Sequence, residues 1–574
     1  MFTPENPLII QSDKSVLVEV ASPRYEAARD QLARFAELEK SPEHIHTYRL
    51  TPLSLWNAAS SGMTGAGVVA ALAEYSKYDL PDNVRRDVLE LMSRYGRVKL
   101  IKEGEKLLLT SDDDILITEI FHQKEIRAML LGKLDRFRLD VDPAMRGQIK
   151  QALLKIGYPA EDLAGYVEGE HLEIDLRELM AHNEAAFGLR GYQREAVDIF
   201  HAGGSSRGGS GVIVLPCGAG KTVVGLAAMA ALDASTLILT PNTVAVRQWI
   251  DEIVDKTTVP REAVGEYTGE VKEIRPVTIS TYQTLTWRKN RNADFPHMSI
   301  FNERDWGLII YDEVHLLPAP VFRITADIQA RRRLGLTATL VREDGRADDV
   351  FSLIGPKKYD VPWKELEQQG WIATADCTEI RIQLDDAERM DYALAETREK
   401  YGVAAQSKAK LPILDALIGK HEGDTILVIG QYIDQLKAIA DHLEAPLITG
   451  KSAVREREKL YDQLRTGEIK LLVVSKVANF SIDLPDANVA IQVSGTFGSR
   501  QEEAQRLGRI LRPKSDGALA HFYTIVARDT RDQEFAANRQ MFLTEQGYRY
   551  QILYGDELTA FEPRRLAVEE LAVP

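Results

Sequence analysis

Apolar runs alternate with amphipathic runs through most of the chain. The stretch GSGVIVLPCGAGKTVVGLAAMAALD predicts a glycine-bounded buried strand and then an alanine-rich helix that begins near Lys221. DWGLIIYDEVHLLP predicts a second buried strand, which ends on acidic residues. The alternation is repeated further along in DTILVIGQYIDQLKAIADHL, REREKLYDQLRTGEIKLLVVSK, ANVAIQVSG and GALAHFYTIVAR. Alternating strands and helices predict an α/β protein with two lobes in series, each built on a mostly parallel sheet.

The first 182 residues follow a different pattern. Thr51 with Pro52 opens one predicted helix that Gly62 ends, and Pro81 opens another that Gly96 ends. RVKLIKEGEKLLLT then has the pattern of a β-hairpin. Helices followed by a hairpin predict a mainly helical, winged-helix-like N-terminal domain. RFRLDVDPAMRGQIKQALLKIGYPAEDLAGYVEGEHLEIDL predicts a small α+β domain after it.

Composition narrows the class of protein. The 574 residues are too many for one core and predict about three to five domains. No apolar run approaches the ~20 residues that span a bilayer, and MFTPENPLII lacks the basic start of a signal peptide. Two cysteines, Cys217 and Cys377, are too few for a disulfide framework and predict a reducing, intracellular compartment. The net charge of −15 does not exclude nucleic acid, because a basic groove can lie on an acidic molecule.

The turn PCGAGKT has the chemistry of a phosphate-binding loop. Glycines let backbone N–H groups point inward, and the following helix adds partial positive charge at its N-terminus. Lysine can reach the outer phosphates and threonine can ligate magnesium, so the turn predicts ATP and Mg²⁺ as cofactors. A strict P-loop begins with glycine where this chain has Leu215, and a chance glycine turn is the alternative. The predicted nucleotide-binding loop comprises Gly218, Ala219, Gly220, Lys221 and Thr222.

The acidic end of DWGLIIYDEVHLLP is predicted to complete this site. Asp312 would hold the magnesium ion, and Glu313 would orient and deprotonate the attacking water. A solvated Asp-Glu turn is the alternative, but a P-loop about 90 residues earlier in the same strand-helix pattern makes it the weaker interpretation. Gln193 in LRGYQREAV fits a contact to the edge of adenine, because a carboxamide both donates and accepts.

A helix in the second lobe carries arginines at helical spacing. In SRQEEAQRLGRILRPK, the side chains of Gln505, Arg509 and Arg512 recur three or four residues apart and share a face. Planar guanidinium groups that cross a cleft suit a transferring phosphoryl group, and they would make hydrolysis depend on lobe closure. The alternative is a solvated basic face.

Together these motifs resemble a known family. LRGYQ, PCGAGKT, TP, DEVH, TAT, SKVANFSIDLP and QRLGRILR occur in an order similar to that of superfamily 2 helicases. LGLTATLVREDG, LIGPKKYDVPWKELEQQGWIA and GSRQEEAQRLGRILR resemble, within that superfamily, the XPB (xeroderma pigmentosum group B) family. NPLIIQSDKSVLVEV, HTYRLTPLSLWNAASSGMT and YGRVKL extend the resemblance over nearly the whole chain. The long charged extensions of eukaryotic members are missing, which suggests a compact bacterial or archaeal version.

The resemblance implies two RecA-like lobes behind two smaller domains. Residues 389–410 correspond to a short thumb-like insertion, with Lys408 and Lys410 near its end as a basic arm. The implied domains are 1–122 for partner docking, 123–182 for a damage-recognition-like unit, 183–372 and 373–545 for the RecA-like lobes, and 546–574 for a C-terminal tail.

The resemblance also implies contacts to DNA. Arg342, Glu343 and Asp344 match the family's Arg-Glu-Asp element, which is implicated in DNA separation, although spacing alone equally allows a local salt-bridged turn. Arg247 and Lys476 occupy positions where family members approach the strand.

Other predicted contacts and links follow from the motor motifs. The resemblance implies that Asp483 lies where family members link the motor to the nucleotide. Tyr282, in the acid-free stretch RPVTISTYQTLTWRKNRN, suits stacking beside backbone neutralisation, with a charged loop as the alternative. His315, Thr337 and Thr339 are predicted to relay the state of the nucleotide site toward the DNA.

The predicted function is an ATP-dependent DNA helicase or translocase that moves 3′ to 5′, as the resemblance implies, and acts in repair and transcription-linked DNA opening. The alternative is an ATP-switched clamp or duplex translocase that recruits a nuclease without processive unwinding. The predicted partners are DNA at a single-strand/duplex junction, without base specificity, and a protein or nuclease docked on the N-terminal domains. No membrane partner is expected, and a prokaryotic version would be cytoplasmic and associated with the nucleoid.

Overall fold

The computed structural model shows four folded units along the chain, each with its own sheet. Two smaller sheets precede two seven-stranded sheets, as an α/β protein with two tandem lobes requires. None of the described helices has both the length and the apolarity needed to span a lipid bilayer. The structure describes residues 2–41, 44–216, 218–290, 295–329, 331–338, 347–361, 366, 375–475, 487–495, 520–545 and 548–563.

The first unit is an antiparallel sheet followed by three helices. Its strands follow the order β1-β2-β4-β3 across the sheet. The helices begin where capping predicts: the hydroxyl of Thr51 accepts from the N–H of Ser54, and that of Thr64 accepts from the N–H of Gly67. The elements are β1 (Leu8–Ile10), β2 (Ser15–Glu19), α1 (Tyr25–Leu32), β3 (Glu37–Lys40), β4 (Ile45–Arg49), α2 (Pro52–Ser60), α3 (Gly65–Tyr75) and α4 (Asp82–Arg94).

The unit is mainly helical, as expected, but its four-stranded sheet was not predicted. The strands are only three to five residues long, so their alternation is hard to distinguish from that of loops. The predicted hairpin does form, but it pairs with later strands and belongs to the next unit.

The second unit is a five-stranded mixed sheet in the order β7-β8-β6-β5-β9. The predicted boundary at residue 122 falls inside it, because strands on both sides of that position share the sheet. Its elements are β5 (Val98–Glu103), β6 (Lys106–Thr110), α5 (Asp114–His122), α6 (Lys124–Arg127), β7 (Leu130–Lys133), β8 (Arg138–Val141), α7 (Arg146–Lys155) and β9 (Ala160–Leu163).

A buried ionic cluster lies where this unit meets the first lobe. Asp162 accepts from Arg146 at 2.7 Å and from Lys150 at 2.9 Å, and Lys150 also donates to the side chain of Gln329. Burial alone would raise the pKa of Asp162, but the charges of Lys150 and Arg146 hold it well below the usual range. Burial lowers the pKa of Lys150 to about 8, so the pair is still ionised at pH 7. The cluster thus ties helix α7 to the lobe behind it.

The first lobe is a parallel sheet in the order β12-β13-β11-β14-β15-β10-β16 with helices around it. Its central strands are buried along almost their whole length, as expected for a sheet covered on both faces. Its elements are α8 (Gly191–His201), β10 (Ser210–Val214), α9 (Lys221–Leu232), β11 (Thr236–Thr240), α10 (Thr243–Lys256), β12 (Val264–Tyr267), β13 (Val277–Thr281), α11 (Tyr282–Leu285), α12 (Ile300–Glu303), β14 (Leu308–Asp312), α13 (Ala319–Asp327), β15 (Arg332–Thr337), α14 (Ala347–Asp349) and β16 (Lys357–Asp360).

The second lobe repeats the design in the order β19-β20-β18-β21-β22-β17-β23, again parallel throughout. Its elements are β17 (Ala375–Ile382), α15 (Asp386–Leu394), α16 (Lys400–Ala405), α17 (Lys410–Lys420), β18 (Ile426–Gly430), α18 (Ile433–His442), β19 (Leu447–Ile448), α19 (Val454–Arg465), β20 (Leu471–Ser475), β21 (Val489–Gln492), β22 (Ala520–Ala527), α20 (Arg531–Glu545) and β23 (Arg549–Tyr554).

Two expectations about this lobe are corrected. Strand β23 lies within the segment 546–574 that was expected to be a tail, and it pairs with β17 at the edge of the sheet. Lys410, expected in a basic arm, is buried and forms an ion pair with Asp532 at 2.7 Å. Its ammonium also donates to the carbonyl of Val493, so it supports the lobe rather than a DNA surface.

Candidate nucleotide-binding site

The candidate site lies at the carboxyl edge of the first-lobe sheet. Asp312 is the last residue of β14, Thr337 is the last residue of β15, and the loop after β10 leads to Lys221 at the start of α9. These three strands are neighbours in the sheet. Open α/β sheets bind their ligands at this edge, so the predicted nucleotide residues converge where the fold allows a site.

The loop before α9 has the backbone of a phosphate cradle. Gly218 and Gly220 have φ values of 82° and 81°, in the left-handed region that favours glycine. A Cβ on Gly220 would lie 2.5 Å from Nε2 of Gln193, so a larger residue there would displace the Gln193 side chain. This glycine-lined turn at a helix N-terminus fits a chain of phosphates.

The loop is held from behind by α8. The carbonyl of Ala219 accepts from the hydroxyl of Tyr192 at 2.7 Å and from Nε2 of Gln193 at 3.0 Å. Oε1 of Gln193 accepts from the backbone N–H of Arg190. Gln193 therefore supports the loop, while its contact to adenine stays a prediction. Thr222, the second residue of α9, is half-buried.

Four side chains form a continuous line from the phosphate loop to the end of β15. Nζ of Lys221 lies 3.3 Å from Oε1 of Glu313. Oε2 of Glu313 lies 3.5 Å from Nδ1 of His315. The same Nδ1 lies 2.6 Å from Oγ1 of Thr337. The predicted catalytic pair and two of the three predicted coupling residues are thus in direct contact.

The backbone at Glu313 is unusual for its residue type. Its φ of 49° lies in the left-handed region, where residues other than glycine have a higher conformational energy. This turn directs Glu313 toward Lys221 immediately after strand β14 ends.

Asp312 is held at two points by aromatic side chains. Nε1 of Trp249 donates to Oδ2 of Asp312 at 3.0 Å. The hydroxyl of Tyr282 donates to the backbone carbonyl of Asp312 at 2.8 Å. The carboxylate and the main chain of Asp312 therefore have separate partners.

The two adjacent carboxyl groups differ in acidity. Burial, reinforced by the charge of Glu313, raises the pKa of Asp312 above its usual range. Burial also opposes ionisation of Glu313, but Lys221 and His315 outweigh it and hold the pKa of Glu313 below its usual range. Asp312 therefore takes up a proton first, and Glu313 stays ionised, which a general base requires.

The predicted DNA-binding residues of the first lobe have different surroundings. The side chain of Arg247 is 64% exposed, and its acidic neighbour Glu270 lies 3.8 Å away and is itself exposed. Tyr282 is 4% exposed, so its ring cannot stack on a base in this structure. The prediction for Tyr282 is therefore corrected: it packs in the lobe beneath Asp312, because the short helix α11 turns its ring inward.

Several predicted site residues lie outside the described residues, and their roles stay predictions. They are Thr339, Arg342, Glu343, Asp344, Lys476, Asp483, Gln505, Arg509 and Arg512.

Sequence reasoning missed Trp249 at this site, together with Gly225 of α9, against which its ring packs. Trp249 follows Arg247 in the same stretch, on the buried face of helix α10. The available signal was the indole N–H, because a buried tryptophan needs a hydrogen-bond acceptor. That signal does not name the acceptor, since Asp312 lies 63 residues away in the chain.

Three family models match the chain. Residues 366–567 match the model "ERCC3/RAD25/XPB C-terminal helicase". Residues 186–342 match "Type III restriction enzyme, res subunit", and residues 8–135 match "Helicase conserved C-terminal domain". The second of these ranges includes the phosphate loop, Asp312, Glu313, His315 and Thr337.

Curated proteins similar to the chain extend over nearly its full length. "DNA 3'-5' helicase XPB" of Kineococcus radiotolerans is 57% identical over 560 residues, which cover 97% of this chain and 98% of that protein. The protein of the same name from Mycobacterium tuberculosis is 56% identical over 96% of this chain and 99% of its own length. "General transcription and DNA repair factor IIH helicase/translocase subunit XPB" of Enterocytozoon bieneusi is 33% identical over 96% of this chain and 93% of its own.

Proposed function

Since the chain belongs to the XPB family of helicases, we propose that ATP hydrolysis in its first lobe drives 3′-to-5′ movement along DNA and separates the strands. The observation that carries this proposal is the unbroken line Lys221–Glu313–His315–Thr337. It leads from the phosphate loop to the end of β15, which runs into the segment with the Arg-Glu-Asp stretch. The curated names of the relatives do not favour the alternative of an ATP-switched clamp.

ATP would be the substrate of the first lobe. Lys221 would move from Glu313 to the outer phosphates, and Glu313 would then be released to accept a proton from the attacking water. Thr222 and Asp312 would hold Mg²⁺, which supplies neutralisation of the phosphate oxygens when bound. The glycine cradle, the buried carboxylate and the helix N-terminus support this assignment.

The second lobe would complete the site on closure. The spacing of Gln505, Arg509 and Arg512 in the sequence predicts that they share a helix face, from which they would reach the phosphates. Asp483 would link the motor to the nucleotide. Lys476 in the second lobe and Arg247 in the first would grip the DNA backbone.

The wedge that separates strands would be the segment after β15. Arg342, Glu343 and Asp344 would act there, and Thr339 would extend the line that reaches Thr337. A single-strand/duplex junction without base specificity is the proposed substrate, because the proposed contacts are to the backbone.

The two N-terminal units would bind a partner protein, as an accessory to the motor. The resemblance to a subunit of transcription and repair factor IIH supports a role in repair and transcription-linked DNA opening. The bacterial relatives of the chain support the proposal that it acts in the cytoplasm, at the nucleoid.

The experiment that tests the proposal measures ATP hydrolysis with no nucleic acid, single-stranded DNA, duplex DNA and RNA. Hydrolysis stimulated by DNA and absent in Glu313→Gln is the expected result. Equal rates with and without DNA would contradict a DNA motor. Stimulation by RNA alone would transfer the proposal to another substrate.

A further inference from the structure

Trp249 connects the acidic end of the nucleotide site to helix α10. Its indole is 1% exposed and donates to Oδ2 of Asp312 at 3.0 Å. Arg247 lies two positions earlier, about 200° around the helix, and is exposed on the opposite face. One helix thus carries a proposed DNA contact on its outer face and the partner of Asp312 on its inner face.

The indole packs closely against helix α9. A Cβ on Gly225 of α9 would lie 2.4 Å from Cη2 of Trp249 and 3.3 Å from Cδ1 of Leu336. Helix α9, which follows the phosphate loop, helix α10 and strand β15 therefore meet beside Gly225. In a close-packed interior, a displaced ring changes the direction of its N–H.

The main chain of Asp312 is positioned independently of Trp249. The hydroxyl of Tyr282 donates to its carbonyl oxygen, and its backbone pairs with Leu336 on β15. Loss of the indole N–H would therefore leave the strand in place and release only the carboxylate.

We propose that Trp249 is a positioning residue that orients the Asp312 carboxylate for Mg²⁺–ATP and links it to the DNA-facing side of α10. This inference deepens the proposed function, on which it rests. A shift of α10 when DNA binds at Arg247 moves the donor and changes the affinity for Mg²⁺–ATP. By thermodynamic linkage, Mg²⁺–ATP changes the affinity for DNA by the same factor.

The test uses the full chain and compares Trp249→Phe with Trp306→Phe. Trp306 is a matched control, because it is also buried in this lobe and its indole donates to the carbonyl of Ile300, away from the site. Mg²⁺ is titrated at a fixed concentration of an N-methylanthraniloyl ATP analogue, whose fluorescence reports binding. The titration is repeated with a saturating single-stranded oligonucleotide.

Trp249→Phe is expected to raise the half-saturating Mg²⁺ concentration about three- to tenfold, the effect of losing one ordinary hydrogen bond that orients the carboxylate. The factor by which DNA changes nucleotide affinity is expected to fall toward one. Trp306→Phe is expected to match the unmodified chain in both. An unchanged Mg²⁺ titration in Trp249→Phe, or the same shift in both variants, would overturn the proposal.

A second variant tests orientation without removing the N–H. Gly225→Ala pushes the indole away from α9 and is expected to raise the half-saturating Mg²⁺ concentration in the same direction. An unaltered titration in Gly225→Ala would contradict the proposed orientation of the carboxylate.

The Mg²⁺ titration measures nucleotide binding, which needs neither hydrolysis nor strand displacement. If DNA does not stimulate hydrolysis by the unmodified chain, the proposed function is contradicted, while the Mg²⁺ titration still decides the role of Trp249.

Discussion

Nζ of Lys221 lies 3.3 Å from Oε1 of Glu313, and both side chains are largely buried. The proposed phosphate ligand and the proposed base therefore neutralise each other across the site. Glu313 is kept ionised by this contact and by His315, against the effect of burial. Phosphate that draws Lys221 away would leave Glu313 as a charged acceptor beside the attacking water.

Glu313→Gln is expected to lower the rate of ATP hydrolysis at least about a hundredfold, because the amide cannot accept the proton from water. ATP binding is expected to persist or tighten, since Lys221 loses its competing carboxylate. Steady-state hydrolysis and binding of a fluorescent ATP analogue measure the two effects. Glu303→Gln, at an exposed position of the same lobe, is the control. Hydrolysis within tenfold of the unmodified rate would refute this role for Glu313.

Thr337→Val is expected to uncouple hydrolysis from strand separation. The change keeps the shape of the side chain and removes the hydroxyl that contacts His315 at 2.6 Å. A lost hydrogen bond of about 1 kcal/mol predicts several-fold fewer base pairs opened per ATP hydrolysed. Hydrolysis and strand displacement are measured on the same samples. Thr325→Val, another buried threonine of the lobe, is the control, and a proportional loss of both activities in Thr337→Val would argue against coupling.

Arg247→Ala is expected to weaken DNA binding several-fold. It is also expected to reduce the slope of log Kd against log salt concentration by about one, because one phosphate contact is lost. Its side chain is exposed, and Glu270, which lies 3.8 Å from it, is exposed as well. Tyr282→Leu, which removes the aromatic ring and keeps an apolar side chain, is expected to leave Kd for DNA unchanged, since the ring is buried. Fluorescence anisotropy at several salt concentrations measures both variants. Weaker DNA binding in Tyr282→Leu alone would restore the stacking role that the structure contradicts.

Asp162→Asn is expected to destabilise the chain by about 3–5 kcal/mol, because Arg146 and Lys150 would keep buried charges without their carboxylate. Thermal unfolding measures the change. Glu125→Gln, which removes an exposed pair with Lys155, is expected to leave Tm unchanged. Equal Tm values for Asp162→Asn and the unmodified chain would show that the cluster does not hold the units together.

The same cluster predicts the direction of an acid transition. The pKa of Asp162 is lower in the folded chain than in the unfolded chain. Its stabilising contribution is therefore complete above about pH 4, the unfolded value, and is lost as pH falls toward the folded value. Asp162→Asn is expected to flatten this part of the stability profile.

Sequence patterns predicted the lobes because short apolar strands alternate with amphipathic helices, and they predicted the phosphate loop because glycines, lysine and threonine stand at fixed spacing. Local spacing does not reveal which distant side chains meet. Trp249 and Asp312 are such a pair, as are Lys410 and Asp532. The burial of Tyr282 was missed for the same reason, since a basic, aromatic stretch does not show which of its rings turns inward.

This chain is proposed to convert ATP hydrolysis into directed separation of DNA strands. The most direct test of this proposal is displacement of a labelled strand from partial duplexes with either a 3′ or a 5′ single-stranded tail, with ATP and Mg²⁺. ATP-dependent displacement from the 3′-tailed duplex, absent from the 5′-tailed duplex and from Glu313→Gln, is the predicted result. DNA-stimulated hydrolysis without displacement from either duplex would contradict the proposal and favour a clamp or duplex translocase.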